Sequence, residues 1–120
     1  MDKTINIKVE ALVPTLLEGC KSIVCDNSDY KVHFEFDEEW RNLNVKTGLF
    51  VCGGVTYSSV FDGDTCKVPE LKDGLVCYIG VVSGDINEQN VEPRKKTSVW
   101  CEVEAIPSIT SIANEPSAPP

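Results

Sequence analysis

Large apolar residues alternate with polar ones from Tyr30 to Phe36, in the sequence YKVHFEF. In an extended chain, successive side chains point to opposite faces, so this period of two puts the four apolar side chains together and His33 on the opposite, polar face. The pattern is typical of a half-buried β-strand. The rest of the chain can be arranged around this strand.

An acidic turn follows the strand at Asp37-Glu38-Glu39 and leads to Trp40. We expect residues 38–43 to form a short helical turn, the one place where the pattern predicts helix. A ring as large as that of Trp40, placed directly after a core strand, is expected to pack and close one end of the core.

The same criteria predict seven further strands. They cover residues 4–9, 20–25, 46–52, 55–61, 65–68, 75–82 and 99–106. The adjacent Gly53-Gly54 predicts a two-residue hairpin turn, because both residues can adopt positive φ. Further turns are expected at Asp62-Gly63-Asp64 and Lys72-Asp73-Gly74.

The remaining segments are assigned from their polar and helix-breaking residues. Pro14 breaks the apolar stretch 11–13, and residues 16–19 are expected to form a loop packed down by its leucines. Residues 26–29 are expected to join two antiparallel strands. The nearly all-apolar run 75–82 suits a central strand covered on both faces, and residues 83–98 read as a long exposed loop.

About eight short strands with almost no helix predict an all-β fold, an antiparallel two-sheet sandwich of immunoglobulin-like or jelly-roll type. A small closed barrel is the second choice. We expect residues 1–107 to form one β-sandwich domain. Residues 108–120, rich in Pro and Ser, are expected to form a linker or tail.

The length, the net charge and the lack of a long apolar run argue against some kinds of binding partner. The chain has 120 residues, enough for one domain, and a net charge of −8 that would repel a phosphate backbone, so no nucleic-acid binding is expected. No window contains the roughly 20 apolar residues of a membrane helix, so no membrane association is expected. The first residues lack the pattern of a signal peptide, which predicts synthesis and folding in the cytosol.

Six cysteines invite a disulfide or zinc interpretation, but none forms a C-x-x-C pair and His33 is the only histidine. In the cytosol thiols stay reduced. Cys25, Cys77 and Cys101 lie in apolar runs, where a free cysteine acts as a small core residue. Buried thiols are therefore the favoured interpretation, with disulfides second and a metal site third.

Few residues in the sequence suggest a catalytic or metal-binding role. His33 lacks the surrounding motifs of a nucleophilic enzyme, and is expected to be a surface residue. The acidic stretches 37–39 and 62–64 do not have the ligand spacing of a calcium loop, and turn chemistry accounts for them. We therefore predict no catalytic residue, no cofactor and no metal site.

Two surface features could mediate binding. Trp40, Tyr57 and Trp100 are the aromatic candidates for a sugar platform. Trp100 is the best surface candidate of the three, because it shares a face with two glutamates of its strand. A rigid amphipathic ring of this kind suits an interface. The basic cluster Arg94, Lys95 and Lys96 is either a solvated loop tip or a contact for an acidic neighbour or second copy.

Four motifs occur in order: FEFDEEW at residues 34–40, VKTGLF at 45–50, FDGDTCKVP at 61–69 and GLVCYIGV at 74–81. Together they resemble the small β domains of structural proteins from phages and prophages of Gram-positive, especially clostridial, bacteria. In that family the domain often stands at the N-terminus of tail, baseplate or fibre proteins, and a Pro-rich linker commonly follows. The resemblance covers residues 24–107 and the character of the tail.

The resemblance implies a non-enzymatic virion structural protein, the attachment domain of a tail or baseplate appendage. It would be made in the bacterial cytoplasm, would bind other virion proteins and would act as a homo-oligomer. Relatives usually continue beyond the linker, whereas this chain ends at Pro120. A capsid decoration or head-fibre protein is therefore one alternative, and a carbohydrate-binding module that adheres to host-surface glycan is another; an enzyme has little support.

Overall fold

The computed structural model describes residues 3–41, 46–83 and 100–108. This part of the chain is mostly β. The strands are β1 (Thr4–Glu10), β2 (Val13–Leu16), β3 (Ser22–Val24), β4 (Lys31–Phe36), β5 (Lys46–Cys52), β6 (Val55–Asp62), β7 (Thr65–Lys67), β8 (Val76–Ser83) and β9 (Cys101–Ile106), and a short helix α1 spans Glu38–Arg41.

The nine strands form one continuous sheet in the order β2-β1-β4-β7-β6-β5-β8-β9-β3. Strand β6 connects its two halves, since residues 55–60 pair with β5 and residues 61–62 pair with β7. The sheet curls into a half-barrel, and β2 at one edge contacts β9 near the other. The β-rich class is therefore confirmed.

The predicted two-sheet antiparallel arrangement is corrected. The sheet is mixed, because β1 pairs with β4 and β3 pairs with β9 in parallel. Parallel neighbours cannot be joined by a tight turn, so strands far apart in sequence come together. Residues 26–29 likewise do not join two paired strands: β3 lies at one edge of the sheet, whereas β4 lies next to β1.

The inner, concave face of the curled sheet holds the core. Both halves of the sheet contribute, with Ile7 and Phe34 on one side and Phe50 and Ile79 on the other, all buried. At roughly 25 cal/mol per Å² of apolar area removed from water, this shared burial is the main term that keeps the sheet curled.

Aromatic rings fill one end of this core. The Phe36 ring lies 5.5 Å from both Phe34 and Trp40, and 5.9 Å from Phe61. Trp40 has no exposed surface, so its predicted role in closing the core is confirmed. The predicted helical turn is also confirmed, although only residues 38–41 of the expected 38–43 are described.

A hydrogen-bonded node ties α1 to the turn after β1. The Asp37 carboxylate accepts from the Ala11 amide at 2.7 Å and from the Trp40 amide at 3.3 Å, which caps the short helix. The Trp40 indole N–H donates to the Ala11 carbonyl at 2.5 Å. Ala11 has a φ of 54°, a conformation that is unfavourable for a residue with a Cβ, and both of its backbone groups are held by this node.

The sequence predicts no strand around Pro14, which differs from the structure, and the loop expected at residues 16–19 begins at Leu17. Val13–Leu16 forms β2, which pairs antiparallel with β1 through Pro14 opposite Val9. Pro14 is tolerated because β2 is an edge strand, where one side of the ladder needs no donor. The proline therefore marks an edge of the sheet.

The hairpin predicted at Gly53-Gly54 is confirmed. The two glycines join β5 to β6 and have φ of 60° and 78°.

Residues 75–82 were expected to be buried on both faces of the sheet, and this is true only for the second half of β8. Val76 and Tyr78 are exposed on the outer face, whereas Ile79–Ser83 is buried throughout.

The described chain stays packed through Ser108, whose hydroxyl donates to the Asp26 carboxylate. The domain boundary predicted at residue 107 remains a prediction, because residues 109–120 lie outside the described residues, as does most of the predicted loop 83–98.

We expect the Asp37→Ala variant to lower the free energy of unfolding by about 1–2 kcal/mol, the usual cost of removing a helix N-cap. The change removes the acceptor of the Ala11 amide and the side-chain cap of the Trp40 amide, which keeps its bond to the Asp37 backbone carbonyl. Urea denaturation of both proteins at neutral pH measures the difference. Glu38→Ala, an exposed acidic neighbour, is the matched control and should change stability by about 0.5 kcal/mol or less. Equal effects of the two substitutions would contradict a structural role for the node.

Candidate functional site

A surface groove of about 530 Å³ crosses the outer face of β1 and β4. It is lined by Lys8, Glu10, His33, Phe34, Glu35, Phe36, Asp37, Arg41 and Asp64. The apolar rings of β4 point to the core, so the outer face presents the polar half of the alternation. The turn that carries Asp64 is held there because the Phe34 amide donates to its carbonyl at 2.8 Å.

The cations of this groove make contacts within the protein. Lys8 forms an ion pair with Glu10 at 2.9 Å, and this hydrogen bond raises the pKa of Lys8. Arg41 donates from Nε to the Phe36 carbonyl at 3.0 Å. These contacts are those of a solvated polar face.

His33 lies on the outer face, as predicted, and is half-buried. Its register partners are Asn6 on β1 and Thr65 on β7. The acidic stretches are explained by turns: Asp37 caps α1, and Asp62 and Asp64 flank the turn between β6 and β7. Across residues 3–41, 46–83 and 100–108, no three His, Cys, Asp or Glu side chains are grouped so that they could hold a metal ion.

The three aromatic residues considered for a sugar platform lie apart. Trp40 is fully buried, and Tyr57 packs on the inner face opposite Phe50. Trp100 is 44% exposed just before β9, so its predicted surface position is confirmed. Arg94, Lys95 and Lys96 lie outside the described residues, and their role as an interface remains a prediction.

Trp100 belongs to an apolar band on the outer face of β5, β8 and β9, which we call the docking face. Val76 and Tyr78 of β8 are 38% and 36% exposed. The register places Tyr78 beside the half-buried Val51, and Leu49 beside Gly80. Trp100 directly precedes Cys101, the residue of β9 that pairs with Ile79 of β8.

The acidic side chains of β9 border the docking face. Glu102 lies opposite Tyr78, and Glu104 lies opposite Val76. Both glutamates are exposed. Tyr78 was missed in the sequence because its run is apolar at almost every position, which conceals the alternation that puts it on the outer face.

The cysteines are mainly core residues. All six are free thiols, of which five are buried and Cys20 is half-buried. The predicted burial of Cys25, Cys77 and Cys101 is thereby confirmed. Burial raises the pKa of Cys66 to about 12 and, together with nearby thiols, that of Cys77 to about 12.

In the part of the chain that the structure describes, no helix is long and apolar enough to cross a membrane. The fold and surface define a β-rich domain with an exposed apolar band and an acidic border. Comparison with known protein families, with curated proteins and with solved structures finds no match to this chain.

The raised pKa values predict that the protein loses stability in alkali. Between about pH 9 and pH 12 the thiols of Cys66 and Cys77 lose their protons in the unfolded chain but keep them in the folded protein. The unfolded state is therefore favoured as pH rises, by up to about 1.4 kcal/mol per pH unit for each thiol. Below pH 9 neither state ionises, and this contribution does not vary.

In the Cys66→Ala variant, the free energy of unfolding should fall less steeply as pH rises, because one of the two thiols that cause the fall is missing. Urea denaturation under a phosphine reductant, at pH steps from 8 to 11, measures the slope. Val68→Ala removes a buried neighbour that does not titrate, so it should lower stability at every pH and leave the slope unchanged. An unchanged slope in Cys66→Ala would contradict the assigned pKa.

Proposed function

We propose that this chain is a non-enzymatic attachment domain of a phage virion, which docks onto the tail or baseplate and carries or spaces an appendage. The observation that carries the proposal is the docking face, where Val76, Tyr78 and Trp100 remain exposed although the inner face has ample apolar residues for a core. Exposed apolar bands of this kind mark interaction sites. The order of motifs in the sequence supports the virion context.

The proposed contact uses the face of the sheet because its edges are blocked. Pro14 lies in the edge strand β2 and cannot donate to an added strand. At the other edge, the Asn27 side-chain amide donates to the carbonyls of Val24 and Cys25 at 3.2 and 3.1 Å. An added strand would find no donor at Pro14, and at the other edge it would have to displace the Asn27 side chain, so side-chain burial on the docking face is the better route.

The partner that fits this face is an apolar protein surface with basic residues at its border. Glu102 and Glu104 lie within reach of such residues, and the chain as a whole carries a net charge of −8. Opposite charges would steer and orient the contact, while the aromatic rings supply affinity. Several copies of the domain would be arranged by the symmetry of the particle, with residues 109–120 as the proposed spacer.

The same chemistry would serve a capsid decoration or head-fibre protein. Immunogold labelling of intact particles with an antibody to this domain separates the two locations. Label at the tail tip is the expected result, and label over the head would replace the tail proposal with the decoration alternative. A protein that is abundant in infected cells but absent from particles would contradict both.

A second candidate function is adhesion to host-surface glycan. Tyr78 and Trp100 are both exposed on one face with the Glu102 carboxylate beside them, and aromatic rings with nearby acceptors suit sugar rings and their hydroxyl groups. Calorimetric titration with host cell-wall polysaccharide tests this function. Binding that is lost in Trp100→Ala would favour it over the virion contact.

For the leading proposal, we expect the double variant Tyr78→Ala, Trp100→Ala to fold normally and to lose at least tenfold in incorporation into particles. Truncating two aromatic anchors removes more than the 1.4 kcal/mol that a tenfold change in affinity requires. Quantitative mass spectrometry of purified particles measures incorporation. Thr56→Ala, exposed on the outer face of β6 beside Val51, is the control and should incorporate like the wild type. Normal incorporation of the double variant would contradict docking through this face.

A further inference from the structure

Three thiols that are far apart in the sequence meet at one end of the core. Cys25 follows β3, Cys52 ends β5, and Cys77 lies in β8; all three are buried. Cys52 lies close enough to Cys25 and Cys77 that each of them affects the pKa of the Cys52 thiol. Cys52 is therefore the central member of the cluster.

The sheet register aligns Cys52 directly opposite Cys77. The two-residue turn Gly53-Gly54 makes Cys52 and Val55 the hydrogen-bonded pair that closes the hairpin, so the backbone groups of Cys52 point toward β6. Toward β8, Cys52 and Cys77 then form a non-hydrogen-bonded pair, the type in which Cα atoms are about 4.5 Å apart. That separation lies within the range of about 4.4–6.8 Å found for disulfides.

The backbone of the turn at Asp73 and Gly74 lies directly against the Cys52 sulfur. The Cys52 thiol donates to the Asp73 carbonyl at 3.1 Å. A Cβ on Gly74 would lie 2.8 Å from the Cys52 sulfur and 2.7 Å from the Gly53 amide, so the turn packs this closely only because glycine stands there. The next residue, Leu75, is 70% exposed. Local opening of this turn would expose Cys52 without unfolding the sheet.

We propose that Cys52 and Cys77 are a thiol–disulfide pair that closes when the protein meets a small disulfide oxidant such as oxidised glutathione. The Cys52 thiol gives its proton to solvent, and the thiolate attacks one sulfur of the oxidant, which breaks that S–S bond and releases one glutathione thiol. The Cys77 thiolate then attacks the Cys52 sulfur and releases the second glutathione. The two cysteines lose two electrons and two protons, and the oxidant gains both.

Cys77 is the partner, rather than Cys25, because the sheet holds it in register. Cys25 approaches Cys52 from a segment that is fixed elsewhere, since its amide donates to the Ile106 carbonyl at 2.9 Å. The assignment of this thiol–disulfide pair goes beyond the proposed function. It does not depend on that function, because it rests on the geometry of β5 and β8 alone. A virion protein would meet such oxidants when particles leave the reducing cytosol.

The test incubates the whole, fully reduced protein to equilibrium with oxidised glutathione, blocks the remaining thiols with an alkylating reagent, and maps the peptides by mass spectrometry. We expect one disulfide linking Cys52 to Cys77, with the other four cysteines alkylated. Thermal unfolding should show a rise in Tm of roughly 5 °C or more, since the bond cross-links two central strands.

Two alanine variants keep the test specific. Cys25→Ala should form the same disulfide with the same rise in Tm. Cys77→Ala should instead accumulate the glutathione adduct on Cys52, with no comparable rise. A disulfide between Cys25 and Cys52 in the wild type would overturn the proposed pairing. The urea-unfolded protein is the control that shows the oxidant is active. If the same buffer oxidises that control but leaves all six thiols of the folded protein free to be alkylated, the proposal as a whole is overturned.

Discussion

The burial of one concave face is the constraint on which the rest of the structure depends. Apolar side chains from both halves of the sheet meet there, and the sheet must curl to bring Phe34 and Phe61 to a ring distance of 5.2 Å. Trp40 closes one end of this face, and its indole fixes the turn at Ala11. The node at Asp37 thus couples the helix, the end of β4 and the turn between β1 and β2.

A curled sheet that does not close into a barrel has two edges, and in this protein both are occupied. Pro14 protects β2, and the side chain of Asn27 protects the end of β3. Unprotected edges invite uncontrolled strand pairing, which these two side chains oppose. On the outer face, the exposed apolar residues of β8 lie beside the acidic residues of β9.

The cysteines show how one residue type can take different roles in one core. Cys66 is isolated under the sheet, where burial alone raises its pKa to about 12. Cys52 ends β5, lies near two other thiols and donates to the carbonyl of Asp73 in the turn that contains Gly74. The difference is positional, because Cys66 is surrounded by the core whereas Cys52 has thiols and a backbone turn as neighbours.

The sequence by itself determined most of the strands, though not β2, and it determined the apolar face of those strands that alternate clearly. Alternation identified β4, paired glycines identified the turn after β5, and the exposure of Trp100 followed from its parity with Glu102. Only the tertiary structure decided which strands are neighbours. The parallel pairing of β1 with β4, the edge position of Pro14 and the meeting of Cys25 with Cys52 all depend on contacts between residues distant in sequence. Periodicity records the face on which a side chain lies, and it carries no information about the strand that lies beside it.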